Sequence, residues 1–315
     1  MVDIADYDKS KYDYEQYWIN RQYEDLSERI ALKKMISNIS TKRCGIIADL
    51  GCGYGRLLPV YFEQFRHIIL FDYSLELLRK AHNIYKNKQN ISYILGNVYK
   101  MPFKDKSIDV VLLVRVLHHI EDVFRLFREF ERVVRFNLII DCPNKRHFIS
   151  ILRGLFTGSL KEVLSNAPYK QPPKKSETIS GNVKQIFYNY NPKWIEKIAN
   201  DVSGGNLTVS RILSVSNLRN PFVKKMVPLF ILKFLEDKLQ KPFSYILFGP
   251  SIWMLFSRRS ANVPKADNKH FSLRESLLCP ACHSDLLFNK TEFFCNKCNK
   301  SYRLLENSIW DFRVN

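Results

Sequence analysis

The chain has 315 residues, 46% hydrophobic and 25% charged, which is ordinary for a globular protein and enough for one large α/β domain plus a small module. No apolar run approaches the ~20 residues of a transmembrane helix, and the acidic start Met1-Val2-Asp3-Ile4-Ala5-Asp6 lacks the basic and apolar regions of a secretory signal. The net charge of +18 is uneven: residues 1–142 hold 22 Lys/Arg against 19 Asp/Glu, residues 143–260 hold 19 against 6, and residues 261–315 hold 8 against 6, so any argument about acidic partners concerns the middle segment.

In chain order, residues 13–37 set Tyr17, Trp18, Tyr23, Leu26, Ile30, Leu32 and Met35 among Arg, Glu and Lys, which predicts an amphipathic helix over a sheet edge. The apolar run Gly45-Ile46-Ile47-Ala48-Asp49-Leu50 reads as a buried parallel strand. Gly51, Gly53 and Gly55 then force a tight turn, and Leu57, Leu58, Val60, Tyr61 and Phe62 follow at helical spacing with Pro59 in the first turn. Strand, glycine loop and helix start together predict a site for an anionic group. A dinucleotide fold would place its third glycine where Arg56 stands, and the phosphate-loop signature is absent.

Four further strand and helix alternations follow. His67-Ile68-Ile69-Leu70-Phe71 runs into Asp72-Tyr73-Ser74, where Ser74 is placed to cap a helix carrying Leu75, Leu77, Leu78, Ala81 and Ile84. Ile91-Ser92-Tyr93-Ile94-Leu95 ends in Gly96-Asn97-Val98, and residues 108–114 run into Arg115-Val116-Leu117-His118-His119. A helix over about 121–134 precedes a fifth strand at 137–141. Strict alternation argues a parallel, doubly wound sheet with ligands at the C-terminal ends of its strands. Asp72 lies 21 positions after Gly51, where a carboxylate can take both hydrogen bonds of a ribose diol. Nicotinamide folds use the same device.

Beyond this alternation, residues 144–154 read as a helix, residues 168–180 as a Pro-, Lys- and Ser-rich loop, and residues 191–199 as a helix opened by proline. A sixth strand is expected at 207–214 and a closing seventh at 246–256, with residues 219–243 inserted between them as a helical lid. Residues 258–270 form an aperiodic linker. Cys279-Pro280-Ala281-Cys282 and Cys295-Asn296-Lys297-Cys298 then stand twelve residues apart, a spacing that signals a tetrahedral zinc held by four thiolates. Of the seven cysteines, Cys44, Cys52 and Cys142 lie outside this cluster. Cys44 and Cys52 bracket the first strand at roughly 26 Å, too far for a disulfide. The expected setting is reducing and cytoplasmic.

The pattern Asp49-Leu50-Gly51-Cys52-Gly53-Tyr54-Gly55, with Asp72, the Asn97 turn and Met101-Pro102-Phe103, resembles the type 11 group of class I S-adenosylmethionine-dependent methyltransferases, which includes ubiquinone and menaquinone biosynthesis enzymes. The resemblance spans residues 45–142. It implies a Rossmann-like, seven-stranded sheet, S-adenosylmethionine as cofactor, and cofactor contacts from Asp49, Gly51, Gly53, Gly55, Asp72, Tyr73, Asn97, Val98 and Arg115. Asn97 departs from the family's usual Asp at the adenine amino group. Arg21, in a segment similar to the N-terminal cap of some members, is the candidate for the cofactor's carboxylate. His118 and His119 have a plain reading as helix-capping or packing residues. As a pair at the end of the fourth strand, one of them is also placed to take a proton from a hydroxyl acceptor. Residues 273–315 resemble a zinc ribbon of the type related to the activator subunit of tRNA, rRNA and release-factor methyltransferases, with Asn307 and Trp310 where that type has Gly and Pro.

The expected organisation is therefore a helical cap over 1–40, a methyltransferase domain over 41–258, a linker over 259–272 and a separately folding zinc ribbon over 273–315. A small, apolar acceptor under the lid is the first expectation. RNA gripped by the basic middle segment and the ribbon is the alternative enzyme reading, and a cofactor-binding module whose ribbon contacts proteins is a third.

Overall fold

A mixed sheet of eleven strands forms the centre of the computed structural model, which describes residues 8, 14–39, 45–171, 187–259, 272–306 and 308–313. The parallel strands are β1 (Ile46–Leu50), β2 (His67–Asp72), β3 (Ile91–Leu95), β4 (Ile108–Leu113) and β5 (Val134–Pro143). Two short strands, β6 (Tyr169–Gln171) and β7 (Phe187–Asn189), pair only with each other. Antiparallel β9 (Ser251–Arg258) adds to β5, and β8 (Leu207–Val215) to β9. This section of the sheet thus has the order β3-β2-β1-β4-β5-β9-β8.

These strands read as unbroken apolar runs because both faces are covered. Ala48, Leu50, Ile69, Phe71 and Val111 face one core, and Ile47, Ile68, Leu70, Val110 and Leu112 face the other. The first core takes Leu126, Phe127, Phe130 and Val133 from helix α5 (Val123–Val133), which Asp122 caps by accepting from the Arg125 N–H at 2.9 Å. The second takes residues of α2 (Gln22–Ile36), α3 (Leu58–Tyr61) and α4 (Leu75–Tyr85).

Several expectations change. The helix expected over 13–37 is two, α1 (Gln16–Ile19) and α2, broken at Asn20 and Arg21. The helix after the glycine loop lasts one turn before a 3₁₀ turn at Phe62–Gln64, so no long helix axis points at the loop. The helix after β5 is α6 (Phe148–Thr157), followed by α7 (Leu160–Leu164), and α8 (Pro192–Val202) opens at its proline. The inserted segment forms α9 (Pro221–Met226) and α10 (Leu229–Ser244), which packs along α2 and β8. Residues 246–250, expected to open the closing strand, are a turn. Cys44, Asn307 and residues 172–186 and 260–271, which hold most of the expected loop and linker, lie outside the described residues.

The sheet is wider than seven strands because the C-terminal segment joins it. In that segment, β10 (Leu287–Asn289), β11 (Glu292–Cys295) and β12 (Lys300–Leu305) form an antiparallel ladder, and β13 (Ile309–Asp311) pairs with β12 on one side and, in parallel, with β3 on the other. Ile309 stands opposite Tyr93, Trp310 opposite Ile94 and Asp311 opposite Leu95. Backbone bonds from Leu278 to Pro102, from Lys104 to Ser276 and from Phe312 to Leu95, each 2.8 Å, stitch the same seam. Cys279, Phe293, Cys295, Tyr302 and Phe312 belong to the first core itself.

Candidate active site

The glycine loop leaves the C-terminal end of β1. Gly51, Gly53 and Gly55 have φ of 68°, 57° and 76°, the left-handed region that side chains other than glycine's strain to adopt. Space is also short: a Cβ on Gly51 would fall 2.1 Å from a methyl of Val116. The loop is tied back over β2, with Gly51 and Cys52 donating to the Phe71 carbonyl at 2.7 and 3.2 Å. Gly53 donates to Asp72 Oδ2 at 2.8 Å, and Ser74 donates to Asp72 Oδ1 at 2.9 Å. Each carboxylate oxygen thus keeps accepting capacity while its orientation is fixed. Burial raises the pKa of Asp72, and the Ser74 and Gly53 bonds oppose that rise.

A cavity opens beside this loop at the C-terminal edge of the sheet. Gly51, Gly53, Asp72, Tyr73, Asn97, Val98, Arg115 and His119 line it, joined by Tyr14, Phe71, Leu77, Gly96, Tyr99, Val116 and Ile120. The Asn97 side-chain oxygen accepts from the Tyr99 N–H at 2.9 Å, which leaves its amide nitrogen as the free donor. Gly96 is required here because a Cβ would meet the Phe71 ring at 2.5 Å.

Of the remaining candidates, Arg21, Asp49, Gly55 and His118 lie outside the lining. Arg21 stands at the N-cap position of α2 without a capping side-chain bond and holds its guanidinium 4.0 Å from the centre of the Tyr17 ring. Asp49 is buried behind the loop and accepts from the Tyr61 hydroxyl at 2.6 Å. Burial pushes its pKa up to about 7, against the pull of Tyr61 and Arg56. Gly55 backs onto Tyr85, whose hydroxyl donates to the Gly55 carbonyl at 3.0 Å. His118 and His119 form one 3₁₀ turn with ring centres 4.0 Å apart, both against Phe187. Burial holds His119 down at about 4 and His118 well below its ordinary value, so both rings are neutral at pH 7. A neutral imidazole of that pKa accepts a hydrogen bond but is a weak base.

Arg115 has φ 60°, a strained conformation for a residue other than glycine. Its Nε donates to Glu28 Oε1 at 2.6 Å, and its guanidinium faces Asp141 at 4.0 Å. Burial works against its charge, but Glu28, Tyr17 and Asp141 outweigh it and hold the guanidinium firmly protonated. Glu28 also pairs with Arg56, which pairs with Asp25 and lies 3.6 Å over the Trp18 ring. Arg56, in the place of a third glycine, therefore pins α2 to the loop.

Among the residues not anticipated here are Tyr14, which lines the cavity, and Asp8, which braces the helix start beside it. Tyr14 covers Gly53, its ring 3.4 Å from where a Cβ would stand, and packs edge-on to Trp18 and Tyr54. Asp8 accepts from Leu75 N at 2.9 Å and from the Ser74 hydroxyl at the start of α4, beside Tyr73. The only signal for Tyr14 was its place in an aromatic run with Tyr17 and Trp18.

In the C-terminal segment, one sulfur from each of Cys279, Cys282, Cys295 and Cys298 lies within 4.8 Å of the others. Three of the separations are 3.5, 3.4 and 3.7 Å. Zn–S bonds of ~2.3 Å put tetrahedral sulfurs about 3.8 Å apart, so the donor set fits zinc in both chemistry and size. The Tyr302 hydroxyl stands 3.1 Å from the Cys279 sulfur, placed to steady a thiolate.

Residues 48–137 match the family model described as a methyltransferase domain. That stretch of the chain is thus similar to a methyltransferase domain. The cavity lies where the strands of this stretch end. The chain is 29% identical over 190 residues to an uncharacterized protein of Methanocaldococcus jannaschii, covering 58% of this chain and 69% of that one. It is 35% identical over 104 residues to an uncharacterized methyltransferase of Schizosaccharomyces pombe, covering 30% of this chain and 37% of that one. The fold is similar to that of a putative S-adenosylmethionine dependent methyltransferase from Listeria monocytogenes, with a TM-score of 0.51, 12% identity, and coverage of 76% and 99% of the two chains.

Proposed function

We propose that the chain transfers a methyl group from S-adenosylmethionine to a small, largely apolar acceptor. The observation that carries this reading is the convergence of Gly51, Gly53, Asp72, Asn97 and Arg115 on one cavity at the strands' C-terminal ends. When bound, S-adenosylmethionine supplies a methyl group on a sulfonium that becomes neutral as the bond breaks. Asp72, already oriented by Gly53 and Ser74, accepts from the ribose hydroxyls with its remaining lone pairs. Asn97 directs its amide nitrogen at the adenine edge, while Phe71, Leu77 and Val98 supply apolar cover. Arg115, rather than Arg21, is assigned the cofactor's carboxylate, since it lines the cavity with its charge secured by Glu28. Tyr14 shuts water from the loop, and a water-poor site favours a step in which charge is lost. His119 accepts a hydrogen bond from the acceptor and orients it, and the proton that the methylated acceptor gives up passes to solvent.

No residue of 219–243 lines the cavity, so that segment is assigned to the cavity's surroundings and not to a lid in contact with the cofactor. The four cysteines are assigned a structural zinc, because four thiolates leave no open coordination position. Two measurements test the reading together. Calorimetry with S-adenosylmethionine should give saturable one-site binding, and labelled methyl groups should pass from it into the small-molecule or lipid fraction of a cell extract. Label confined to RNA would overturn the acceptor class, and absence of binding would overturn the whole assignment.

A further inference from the structure

Helix α10 is inside out. Its buried positions Leu232, Glu236, Gln240 and Ser244 recur every four residues, with Glu236 1% and Gln240 0% exposed. Glu236 accepts from the Tyr23 hydroxyl at 2.5 Å and from Ser216 N at 2.8 Å, and Gln240 donates to the Ser27 carbonyl at 2.9 Å. The polar face is thus spent on the protein, while Phe230 at 72% and Phe234 at 61% point outward with Leu229 and Ile231. A surface helix in water normally has the opposite polarity. Helix α6 is outward-apolar as well: Phe156 is 88% exposed, with Phe148, Ile149, Leu152 and Leu155 also exposed and Gly154 its one buried residue.

These helices form one region. Phe148 stacks on Phe248 at 5.2 Å, and Phe248 meets Phe243 of α10 at 4.4 Å. Helix α6 follows the C-terminal end of β5, and α9 and α10 lie between the end of β8 and the start of β9. Pro143 and Val215, at the two strand ends, both stand opposite Ser251. The region therefore springs from the edge of the sheet on which the cofactor cavity opens.

Charge chooses the occupant. Between residues 221 and 246 the acids are Glu236, which is buried, and Asp237, which pairs with Lys34 at 2.9 Å, whereas Lys225, Lys233, Lys238 and Lys241 are exposed. Lys238 and Lys241 lie over the rings of Phe234 and Tyr245 at 5.8 and 4.9 Å, so each cation sits on an apolar body. Aliphatic side chains such as Ile149, Leu152 and Ile231 offer nothing to a nucleic-acid base, and a second copy would bring like charges together. We infer that α6, α9 and α10 dock the chain on an anionic lipid bilayer, apolar side chains in the acyl boundary and lysines at the headgroups. The docked face presents the cavity edge to the membrane, where an apolar acceptor would be dissolved. Docking does not require the methyl-transfer reading, so either can fail alone.

Flotation of the full chain with phosphatidylcholine vesicles, with and without phosphatidylserine, tests this. Binding is expected with phosphatidylserine and should weaken about fivefold for each engaged lysine changed to glutamine. Phe156→Ser, Phe230→Ser and Phe234→Ser together should cost at least about tenfold, with circular dichroism and cofactor affinity unchanged because all three side chains are exposed. Four results would overturn the inference: no binding to either vesicle, binding indifferent to the triple variant, displacement of the chain from vesicles by polyuridylate through that same face, or a dimer in the ultracentrifuge that the triple variant dissolves. Vesicle binding with no methyl transfer would keep the surface and remove the proposed activity.

Discussion

The two ends of the section β3-β2-β1-β4-β5-β9-β8 are covered in opposite ways. At β3, a strand covers a strand: β13 satisfies the edge's backbone groups, and the cysteine cluster closes the ladder behind it. At β8, a helix covers the face instead, turning Glu236 and Gln240 inward and its phenylalanines outward. The first margin is finished within the chain. The second leaves apolar surface that only another phase or another molecule can cover. One edge backs the candidate site and, on the docking proposed above, the other addresses the molecule to its surroundings, so damage to each should read out differently.

The largest effect is expected at the β3 margin. Structural zinc contributes on the order of 10 kcal/mol to small cysteine modules, so Cys282→Ser or chelation should unfold β10–β13. An independently folding ribbon would leave cofactor affinity intact. The observed pairing predicts otherwise, because Phe312 bonds to Leu95 and Arg313 lies 5.9 Å from the Tyr73 ring, next to Asn97 and Asp72. S-adenosylmethionine affinity should fall about tenfold, the equivalent of 1.4 kcal/mol. Unchanged calorimetric affinity after verified metal loss would separate the two regions again. At the other margin, Glu236→Ala should leave the Tyr23 hydroxyl and Ser216 N–H without an acceptor at about 1–3 kcal/mol each. Chemical denaturation should show that loss, with affinity in the native baseline unchanged.

The contrast also marks what the sequence could disclose. Strands β1 to β5 were legible because burial on both faces writes a continuous apolar run, and the glycine loop because three left-handed residues admit few substitutes. Strand β13 was not legible: Ile309-Trp310-Asp311 is three residues, and its partner Tyr93-Ile94-Leu95 lies more than two hundred positions away. The bridge from Arg56 through Glu28 to Arg115 escaped for the same reason, since no local period links helix α2 to two loops. Helix α10 was read from composition as a lid. Its inverted polarity becomes visible only once β8 and α2 show which face is inside.

Within the cavity the expected effects are smaller. Asp72→Ala removes a charged acceptor from the ribose and releases Gly53 N–H and Ser74 N–H, which should cost about 1.5–3 kcal/mol of binding, tenfold or more. Isothermal calorimetry measures this directly. An unaltered dissociation constant would take Asp72 out of the contact and shift the weight of the site toward Asn97.

The smallest effect is expected at His119. Burial lowers its pKa from 6.5 to about 4, so the ring is already neutral at pH 6 and gains nothing by pH 8. If it orients the acceptor through a hydrogen bond, the rate of methyl transfer carries no ionisation from this residue across that range. His119→Gln, which keeps an acceptor, should then retain most of the rate, and His119→Ala should lose only the factor of about ten that one neutral hydrogen bond represents. A histidine acting as general base gives the opposite profile, with the rate climbing through its pKa and collapsing in both variants. Histidine ring resonances followed by nuclear magnetic resonance fix the ionisation independently. A His119 midpoint near 6.5 that coincides with a rise in rate would make the imidazole the base, and would mean that the crevice is wetter than its lining of Phe71, Val116 and Ile120 implies.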